Sequence, residues 1–350
     1  YVSPAGLISP TLTWETVVAK NLGLDFTILN QKLDVSFDIY TRDTKDMLMN
    51  VSYPDILGTA APKSNAADLR TKGWELSATW HDKVGTNWNY GLTLALSDNT
   101  SKITRYLNPT GAIDQYYVGK DIGEIWAYET VGIFQTEADV AASANQDQLG
   151  AAWKAGDMQY ADLNKDDKIT PGVRTLDDHG DLRIVGNTTP RYSFGINGDI
   201  SYKGIGLNVF FQGVMKRDYL PDNGNWNAFY PYNDGHLEKY AISESWTETN
   251  RDAYFAAPTF GYNTKKNIHP QSRYVQNASY IRLKNLSVSY QFPVKLIQKV
   301  RLNGAQIYFA GMNLWEATKM HKPLDPESVF TVTQEYYLQR IFTLGVKLNF

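Results

Sequence analysis

Hydrophobic and polar residues alternate along several stretches of this chain. Residues 33–40 read LDVSFDIY, in which every odd position is apolar and every even position is polar or tyrosine. A period of two residues is typical of a β-strand with one apolar and one polar face. By this pattern the chain contains about nine long strands. They lie in residues 22–28, 33–40, 74–80, 88–96, 192–202, 207–212, 280–292, 307–311 and 342–350.

The alternation changes phase once inside a strand. In residues 280–292, YIRLKNLSVSYQF, the apolar positions switch from odd to even numbers at Lys284–Asn285. One extra residue in a strand shifts all later side chains to the other face, so the switch predicts a β-bulge there.

The predicted links between strands alternate between short and long. Short links fall near residues 30–31, 81–86, 203–205 and 293–303. Long links fall near Thr44–Leu69, Thr104–Thr189, Leu220–Ser272 and Glu316–Tyr336. If neighbouring strands are antiparallel, all long links lie at one end of the sheet. Short periplasmic turns and long extracellular loops are typical of a transmembrane antiparallel β-barrel.

A soluble β-sandwich would also show alternation, because one face of each sheet packs into a core and the other meets water. Three features favour the barrel: the systematic asymmetry of the links, a polar face with acids such as Asp38 and Glu75, and aromatic residues such as Trp80 near strand ends. The final strand ends on Phe350. We expect Phe350 at the periplasmic interface, in a strand that closes a barrel by pairing with its first strand.

Composition narrows the function classes. The 350 residues carry a net charge of −3, which argues against a nucleic-acid surface driven by positive charge. The chain has no Cys, which excludes disulfides, thiolate catalysis and Cys-ligated metals. No apolar run reaches the ~18 residues of a membrane helix, and no signal peptide is visible. Single-chain bacterial barrels have even strand numbers, so nine strands predict part of a larger barrel.

One motif carries metal chemistry. Within Gly156–Thr170, GDMQYADLNKDDKIT, the residues Asp162, Asn164 and Asp166 occupy positions 1, 3 and 5 of an EF-hand-like calcium loop. Lys168 would contribute its backbone carbonyl at position 7. Hard oxygen donors at alternate positions allow one tight loop to wrap around Ca²⁺, so the motif predicts a structural calcium site.

The match to a calcium loop is incomplete. Position 6 holds Asp167 rather than Gly, and position 12 holds Val173 rather than Glu. A late carboxylate is available from Asp177, Asp178 or Asp181. The alternative interpretation is a solvated acidic loop without a metal.

Aromatic side chains in residues 222–235 are candidate substrate contacts. Flat rings with neighbouring amides suit sugar or peptide binding, and the candidates are Trp226, Phe229, Tyr230 and Tyr232. The alternative is a loop that packs its own aromatic residues together. The five histidines lie far apart in the sequence, and no nucleophile or phosphate-binding motif is present, so no catalytic residues are predicted.

Several stretches resemble the SusC/RagA-type TonB-dependent outer-membrane transporters of Bacteroidota. They are YVQNASYIRLKNLSVSYQFP (Tyr274–Pro293), IVGNTTPRYSFGINGDISYKGIGLNVFFQG (Ile184–Gly213), GDMQYADLNKDDKIT, TLTWETVVAKNLGLDFTILNQKLDVSFDIYTRDTKDML near the start and LQRIFTLGVKLNF at the end. The resemblance covers essentially residues 1–350. It implies an all-β chain that forms the C-terminal nine or so strands of a 22-stranded barrel, with long extracellular loops at 104–189 and 220–272.

The same resemblance implies a function. Members of this family import a glycan or oligosaccharide, or a peptide, across the bacterial outer membrane, and a SusD-like surface lipoprotein caps the mouth. TonB would act through the N-terminal part, which with the plug and the early strands is expected outside this chain. The expected protein is not an enzyme, contacts outer-membrane lipid and binds no nucleic acid. The alternative is a soluble β-fold carbohydrate-active enzyme or lectin.

Overall fold

The computed structural model describes residues 12–50, 62–221, 229–230, 239–258, 262–321, 324–330 and 338–350. Two of the candidate substrate residues, Trp226 and Tyr232, lie outside these ranges. The strands are β1 (Thr16–Ile28), β2 (Leu33–Asn50), β3 (Lys63–Val84), β4 (Trp88–Tyr106), β5 (Glu124–Tyr128), β6 (Thr130–Ile133), β7 (Met158–Tyr160), β8 (Leu182–Asn187), β9 (Arg191–Tyr202), β10 (Ile205–Lys216), β11 (Asp218–Tyr219), β12 (Gln276–Asn277), β13 (Tyr280–Gln291), β14 (Gly304–Thr318) and β15 (Ile341–Asn349).

Helical segments are few and short. The α-helices are α1 (Glu137–Ala142), α2 (Tyr240–Glu244) and α3 (Val294–Ile297). The 3₁₀ segments are Tyr262–Asn267, Ser272–Tyr274, Gln298–Val300 and Ser328–Phe330. Nearly all the regular structure is therefore β, as the alternation predicts.

One large antiparallel sheet organises the chain. Its nine strands lie in the order β1-β2-β3-β4-β9-β10-β13-β14-β15. Each of the nine stretches with alternating residues falls in one of these strands. Chain neighbours are also spatial neighbours, and the long links are inserted after β4, β10 and β14. The all-β, barrel-type fold expected from the sequence is confirmed.

The two faces of the sheet differ as the alternation predicts. Across β1 and β2, Leu22 pairs with Ile39 and Leu24 with Phe37. These side chains are exposed, Leu22 by 68% and Leu24 by 59%. On the opposite face the Thr27 hydroxyl donates to Asp34 over 2.7 Å. An apolar face that no other described part of the chain covers is what a lipid-facing barrel wall requires.

The predicted β-bulge is confirmed at Lys284. Phe210 and Phe211 are consecutive in β10 but pair with Asn285 and Leu283 of β13, so Lys284 is the extra residue. The register between β13 and β14 shifts at the same place, where Asn313 and Leu314 of β14 lie opposite Lys284.

The bulge decides where two cations point. Without the extra residue, Arg282 and Lys284 would share a face with Leu286 and Val288, because they would stand at even spacing in one strand. The bulge moves them to the opposite face. There Arg282 is only 3% exposed and both cations contact acidic residues of a loop.

Several strands run further than the alternation indicates. β2 continues to Asn50 and β3 begins at Lys63, so much of the predicted long link 44–69 is strand. β3 also continues to Val84, and the turn after it lies at residues 85–87 rather than 81–86. Backbone pairing continues here although the side chains no longer alternate. Register shifts near Met47 and Asp68 accompany this extension.

Cross-strand ion pairs hold the extended ends together. Arg70 of β3 lies 2.6 Å from Asp43 of β2, and Arg105 of β4 lies 2.6 Å from Asp68 of β3. Opposite charges on neighbouring strands stabilise pairing. The alternation pattern could not identify this part of the sheet because these cross-strand contacts are polar.

The large sheet has two open edges. β1 and β15 end the strand order, and they do not pair with each other in the described part of the chain. The expected pairing of the Phe350 strand with a first strand is therefore not formed among the described residues. Phe350 itself is 87% exposed. Nine strands form an open segment of a barrel wall, so closure needs further strands.

Candidate functional site

The long links fold together at one end of the sheet. Besides the links after β4 and β10, the described part of the link after β14 (residues 319–321, 324–330 and 338–340) joins this loop cluster. Inside it, β5 pairs with β8, β6 with β7 and β11 with β12. Tyr128 of β5 also contacts the second long link, because its backbone N–H donates to the Pro270 carbonyl over 2.9 Å. The links therefore form one structure rather than separate loops.

The loop cluster has its own hydrophobic core. Residues from all three links are buried together, and side chains such as Phe255 and Tyr274 are completely inaccessible to solvent. The core members include Ile113, Tyr128, Met158, Tyr160, Ile169, Leu182, Phe229, Tyr230, Trp246, Phe255, Ile268, Tyr274, Met320, Leu324 and Val329. A shared core gives the mouth a defined shape before any ligand binds.

A buried ion pair joins the first two links. The Lys266 ammonium lies 2.6 Å from the Asp157 carboxylate, and the two side chains are 3% and 0% exposed. Asp157 also accepts from the Asn267 amide over 2.9 Å and from the Lys154 N–H over 2.9 Å. Lys266 also donates to the Ala152 carbonyl over 2.9 Å. This saturated network compensates the cost of burying two charges.

The described aromatic candidates, Phe229 and Tyr230, lie inside this core. Phe229 is 0% and Tyr230 6% exposed. The Phe229 ring packs edge-on against Phe255 at 5.5 Å and Tyr274 at 5.8 Å. Both described rings are thus packed inside the core, as in the alternative that this loop packs its own aromatic residues.

The acidic motif forms a tight turn around Asp162. One Asp162 carboxylate oxygen accepts the Lys165 N–H over 2.6 Å, and the other accepts the Asp167 N–H over 2.8 Å. The Asn164 side-chain oxygen accepts the Asp166 N–H over 3.1 Å. Asp167, at position 6, has φ 61°, the left-handed conformation in which a calcium loop usually uses Gly. The backbone therefore makes the predicted turn despite the Asp.

Asp181 is the late carboxylate that reaches this turn. Its side chain is fully buried and accepts the N–H of Leu163 over 2.7 Å and of Thr170 over 2.7 Å, so it bridges both ends of the motif. Of the other two candidates, Asp178 packs near Gly172, and Asp177 is exposed.

The donor set fits a cation only in part. Among the described residues, no three His, Asp or Glu side chains gather closely enough to hold a metal ion. Carboxylate oxygens have further lone pairs beyond those that accept N–H groups, so Asp162 and Asp181 keep acceptor capacity. The side chains of Asn164 and Asp166 are exposed, and their oxygens accept the N–H groups of Asp166 and Lys168. The calcium site stays a prediction.

A polar cavity of about 380 Å³ lies between the sheet and the loop cluster. Its walls come from β4, β9 and β10 on the sheet side and from β5, β8, β11 and the segments before β5 and β9 on the loop side. At one wall Arg191 forms a bidentate pair with Asp98. The charged and amide side chains that line it are Asn99, Asp121, Glu124, Asn187, Arg191, Lys216 and Asp218. Sequence reasoning missed this site because its residues come from six strands and two connecting segments that are separate in the sequence.

A second polar cluster holds the link after β14. The Arg282 guanidinium lies 2.7 Å from Asp325 and 2.7 Å from Glu327, and it also contacts Glu316. Lys284 lies 2.9 Å from Glu327. These pairs draw the described residues 324–330 over the end of the sheet. The phase switch at Lys284 is the sequence signal that could have located this cluster.

Burial favours the neutral forms of two tyrosines and one histidine in the loop cluster. Burial raises the pKa of Tyr128 to about 12 and that of Tyr160 well above its usual value. The Tyr160 hydroxyl donates to the Lys266 carbonyl over 2.7 Å. Burial also lowers the pKa of His269, whose Nε2 lies 2.7 Å from the Leu149 carbonyl oxygen. The side chains of Tyr160 and His269 therefore act as hydrogen-bond partners inside the folded loop cluster.

Known proteins share this architecture. A family model described as "TonB dependent receptor-like, beta-barrel" matches residues 1–314. TonB-dependent receptor P3 of Formosa agariphila is 26% identical to this chain, and the match covers 97% of this chain and 34% of that receptor. TonB-dependent receptor SusC of Bacteroides thetaiotaomicron is 24% identical, with 97% of this chain and 32% of SusC covered.

A solved structure described as the RagAB peptide transporter has the same fold. It superimposes with a TM-score of 0.74 at 22% identity, covering 99% of this chain and 36% of that one. The chain thus spans about a third of the length of the relatives it matches.

No helix among the described residues is long and apolar enough to cross a bilayer. The family match agrees with the fold, which is a nine-stranded sheet with an exposed apolar face. SusC is one of the relatives that this chain matches. The chain therefore belongs to the family of TonB-dependent receptor-like β-barrels, whose members are outer-membrane proteins.

Proposed function

We propose that this chain is the C-terminal barrel portion of an outer-membrane importer that takes up an oligosaccharide or a peptide with energy delivered through TonB. The observation that carries the proposal is the combination of an exposed apolar sheet face with a preformed loop cluster at one end. The apolar face suits lipid, and the loop cluster with its polar cavity suits capture of a hydrophilic solute at the mouth.

A SusD-like surface lipoprotein is the partner in this proposal. The relatives SusC and RagAB support such a pairing, because the second name denotes a two-component transporter. The loop cluster is the part of the chain that would meet the lipoprotein, since it forms the end of the sheet where the long links lie. TonB would act on a part of the protein that this chain does not include.

The alternative of a soluble carbohydrate-active enzyme or lectin has less support. A soluble sandwich covers one face of each sheet with a second layer, whereas Leu344 on β15 is 75% exposed and Leu24 on β1 is 59% exposed. The relatives are receptors and transporters rather than enzymes.

Calcium is part of this proposal as a structural ion. Asp162, Asn164 and Asp166 would supply side-chain oxygens and Lys168 its backbone carbonyl, with Asp181 nearest among the late carboxylates. A bound divalent cation would offset the repulsion between these acids. The turn around Asp162 and the left-handed Asp167 support the site.

The proposal is tested by uptake in cells. The gene for the full-length protein is deleted, and accumulation of labelled oligosaccharides and of labelled peptides is compared with the parent strain and with a strain lacking TonB. We expect both deletions to abolish uptake of the same solute class, and we expect the lipoprotein to co-purify with the barrel. Normal uptake of every solute in the deletion strain, with hydrolysis by the purified protein, would overturn the proposal.

A further inference from the structure

An apolar groove of about 420 Å³ lies on the outer face of the sheet, near the end that carries the short links. Two rows of paired residues form it. Ile205, Tyr290 and Ile307 make one row, and Val288, Phe309 and Leu344 make the other. Val288 is 40% and Leu344 75% exposed, so the groove opens outward, on the face that lipid covers in a barrel.

The link from β13 to β14 lies just beyond the groove. β13 ends at Gln291, and α3 begins at Val294. Val294 and Leu296 are exposed by 55% and 54%, while Ile297 is buried at 5%. An exposed pair of aliphatic side chains next to the lipid-facing wall is typical of a segment that lies in the membrane interface.

The same link is basic and has no acid. Residues 293–303 read PVKLIQKVRLN, with three cations at Lys295, Lys299 and Arg301. All three are exposed, and none forms an ion pair with a described residue. The neighbouring turn adds Lys203, which lies over the Tyr202 ring at 5.2 Å. Cations beside a bilayer surface attract anionic headgroups.

Aromatic rings place the membrane interface at this level. Trp88 of β4 stacks on Tyr202 of β9 with ring centroids 4.2 Å apart, and Tyr290 packs edge-on against Phe292 at 5.1 Å. Trp and Tyr girdles lie at headgroup depth in barrels. The groove therefore lies at the depth of the acyl chains of the periplasmic leaflet, next to its headgroups. The cations lie at the level of these headgroups, where the short turns of a barrel are located.

We infer that this groove and the basic link form a binding site for an anionic glycerophospholipid of the periplasmic leaflet. An acyl chain would lie along Val288, Ile307 and Leu344. The phosphate would lie near Lys295, Lys299 and Arg301. Charge complementarity selects an anionic lipid over a zwitterionic one, because the link offers only positive charge. The inference is independent of which solute the importer carries.

The test uses the full-length protein in nanodiscs that contain phosphatidylglycerol and phosphatidylethanolamine with identical acyl chains. Native mass spectrometry of protein released from these discs should show preferential retention of phosphatidylglycerol. The variant K295Q/K299Q/R301Q should retain at least about tenfold less phosphatidylglycerol, because each interfacial cation contributes to the affinity for anionic lipid. K154Q/R174Q/K319Q makes the same charge change at exposed positions of the loop cluster and should not alter retention.

A second pair of variants tests the groove itself. Ile307→Trp fills it and should lower retention, whereas Leu92→Trp, on the outer face of β4, should not. Equal retention of both phospholipids by the unmodified protein would overturn the inference even if every variant failed to assemble. Retention of phosphatidylglycerol that the basic-link variant leaves unchanged would also overturn it.

Discussion

The ammonium of Lys266 lies 2.6 Å from the carboxylate of Asp157, and both groups are buried where two long links of the chain meet. Removing one charge leaves the other buried without compensation. We therefore expect Lys266→Met to destabilise the loop cluster by about 3–5 kcal/mol while leaving the sheet intact. Hydrogen exchange of peptides from residues 107–190 and 262–278 measures this loss directly.

Its neighbour provides the control. Lys265 is exposed, so Lys265→Met should leave exchange in the loop cluster unchanged. The double variant Lys266→Met with Asp157→Asn should recover part of the stability, because no uncompensated charge remains. Equal exchange in the Lys265 and Lys266 variants would show that the ion pair does not support the cluster.

The faces of β15 predict opposite tolerance to charge. Leu344 pairs with Phe309 on the exposed apolar face, and Thr343 pairs with Ala310 on the opposite face. In the full-length protein Leu344→Arg should cost about 2–4 kcal/mol of folding free energy in lipid, and Thr343→Arg should cost much less. A urea titration of refolding in lipid vesicles measures both. Equal costs would contradict the assignment of the apolar face to lipid.

Calcium should protect the motif around Asp162. Asp162→Ala with Asp166→Ala removes two of the expected ligands, so we expect cleavage by trypsin near Lys165 to increase in the presence of calcium to the level seen with chelator. Isothermal titration of calcium gives an independent measurement. Asp114→Ala with Asp252→Ala changes two exposed acids elsewhere and serves as control. Calcium-independent cleavage of the unmodified protein would argue against the ion.

The loop cluster should loosen in mild acid because of His269. Burial lowers the pKa of this imidazole below its usual 6.5. As the pH falls below about 6.5, the unfolded form takes up the proton before the folded form does, so stability is lost as the pH falls. Hydrogen exchange of the loop cluster should therefore accelerate between about pH 7.5 and 5.5.

His269→Gln keeps a hydrogen-bond donor for the Leu149 carbonyl oxygen and removes the titration. This variant should show a weaker acceleration than the unmodified protein. The exposed His81 lies on β3, far from the loop cluster in the fold, so His81→Gln should retain the full pH response. An unchanged response in the His269 variant would assign the acid sensitivity to another group.

The strands could be predicted from sequence because the two faces of the sheet have different environments. Apolar and polar residues therefore alternate along each strand. The bulge at Lys284 was visible for the same reason, as a change of phase. The extended ends of β2 and β3 were not, because ion pairs such as Arg70 with Asp43 stabilise them without any alternation.

The loop cluster was beyond this kind of reasoning. Asp157 and Lys266 are 109 residues apart in the chain, and nothing near either residue indicates the other. Met158 and Asn267 have the same separation along the sequence, and the Met158 N–H donates to the Asn267 side-chain oxygen. The aromatic residues Phe229 and Tyr230 suggested ligand contact because composition alone does not distinguish a ring in a core from a ring in a binding site.

The shared core of the loop cluster has a consequence for how such mouths can change. A loop that stands alone can be lengthened, shortened or exchanged without affecting its neighbours. Here Tyr160, Tyr274 and Met320 come from different links and pack into one interior. A transplanted loop would bring a mismatched surface to that interior. New specificity should therefore arise through substitutions on the outer side of the cluster, or through exchange of all the links as one unit.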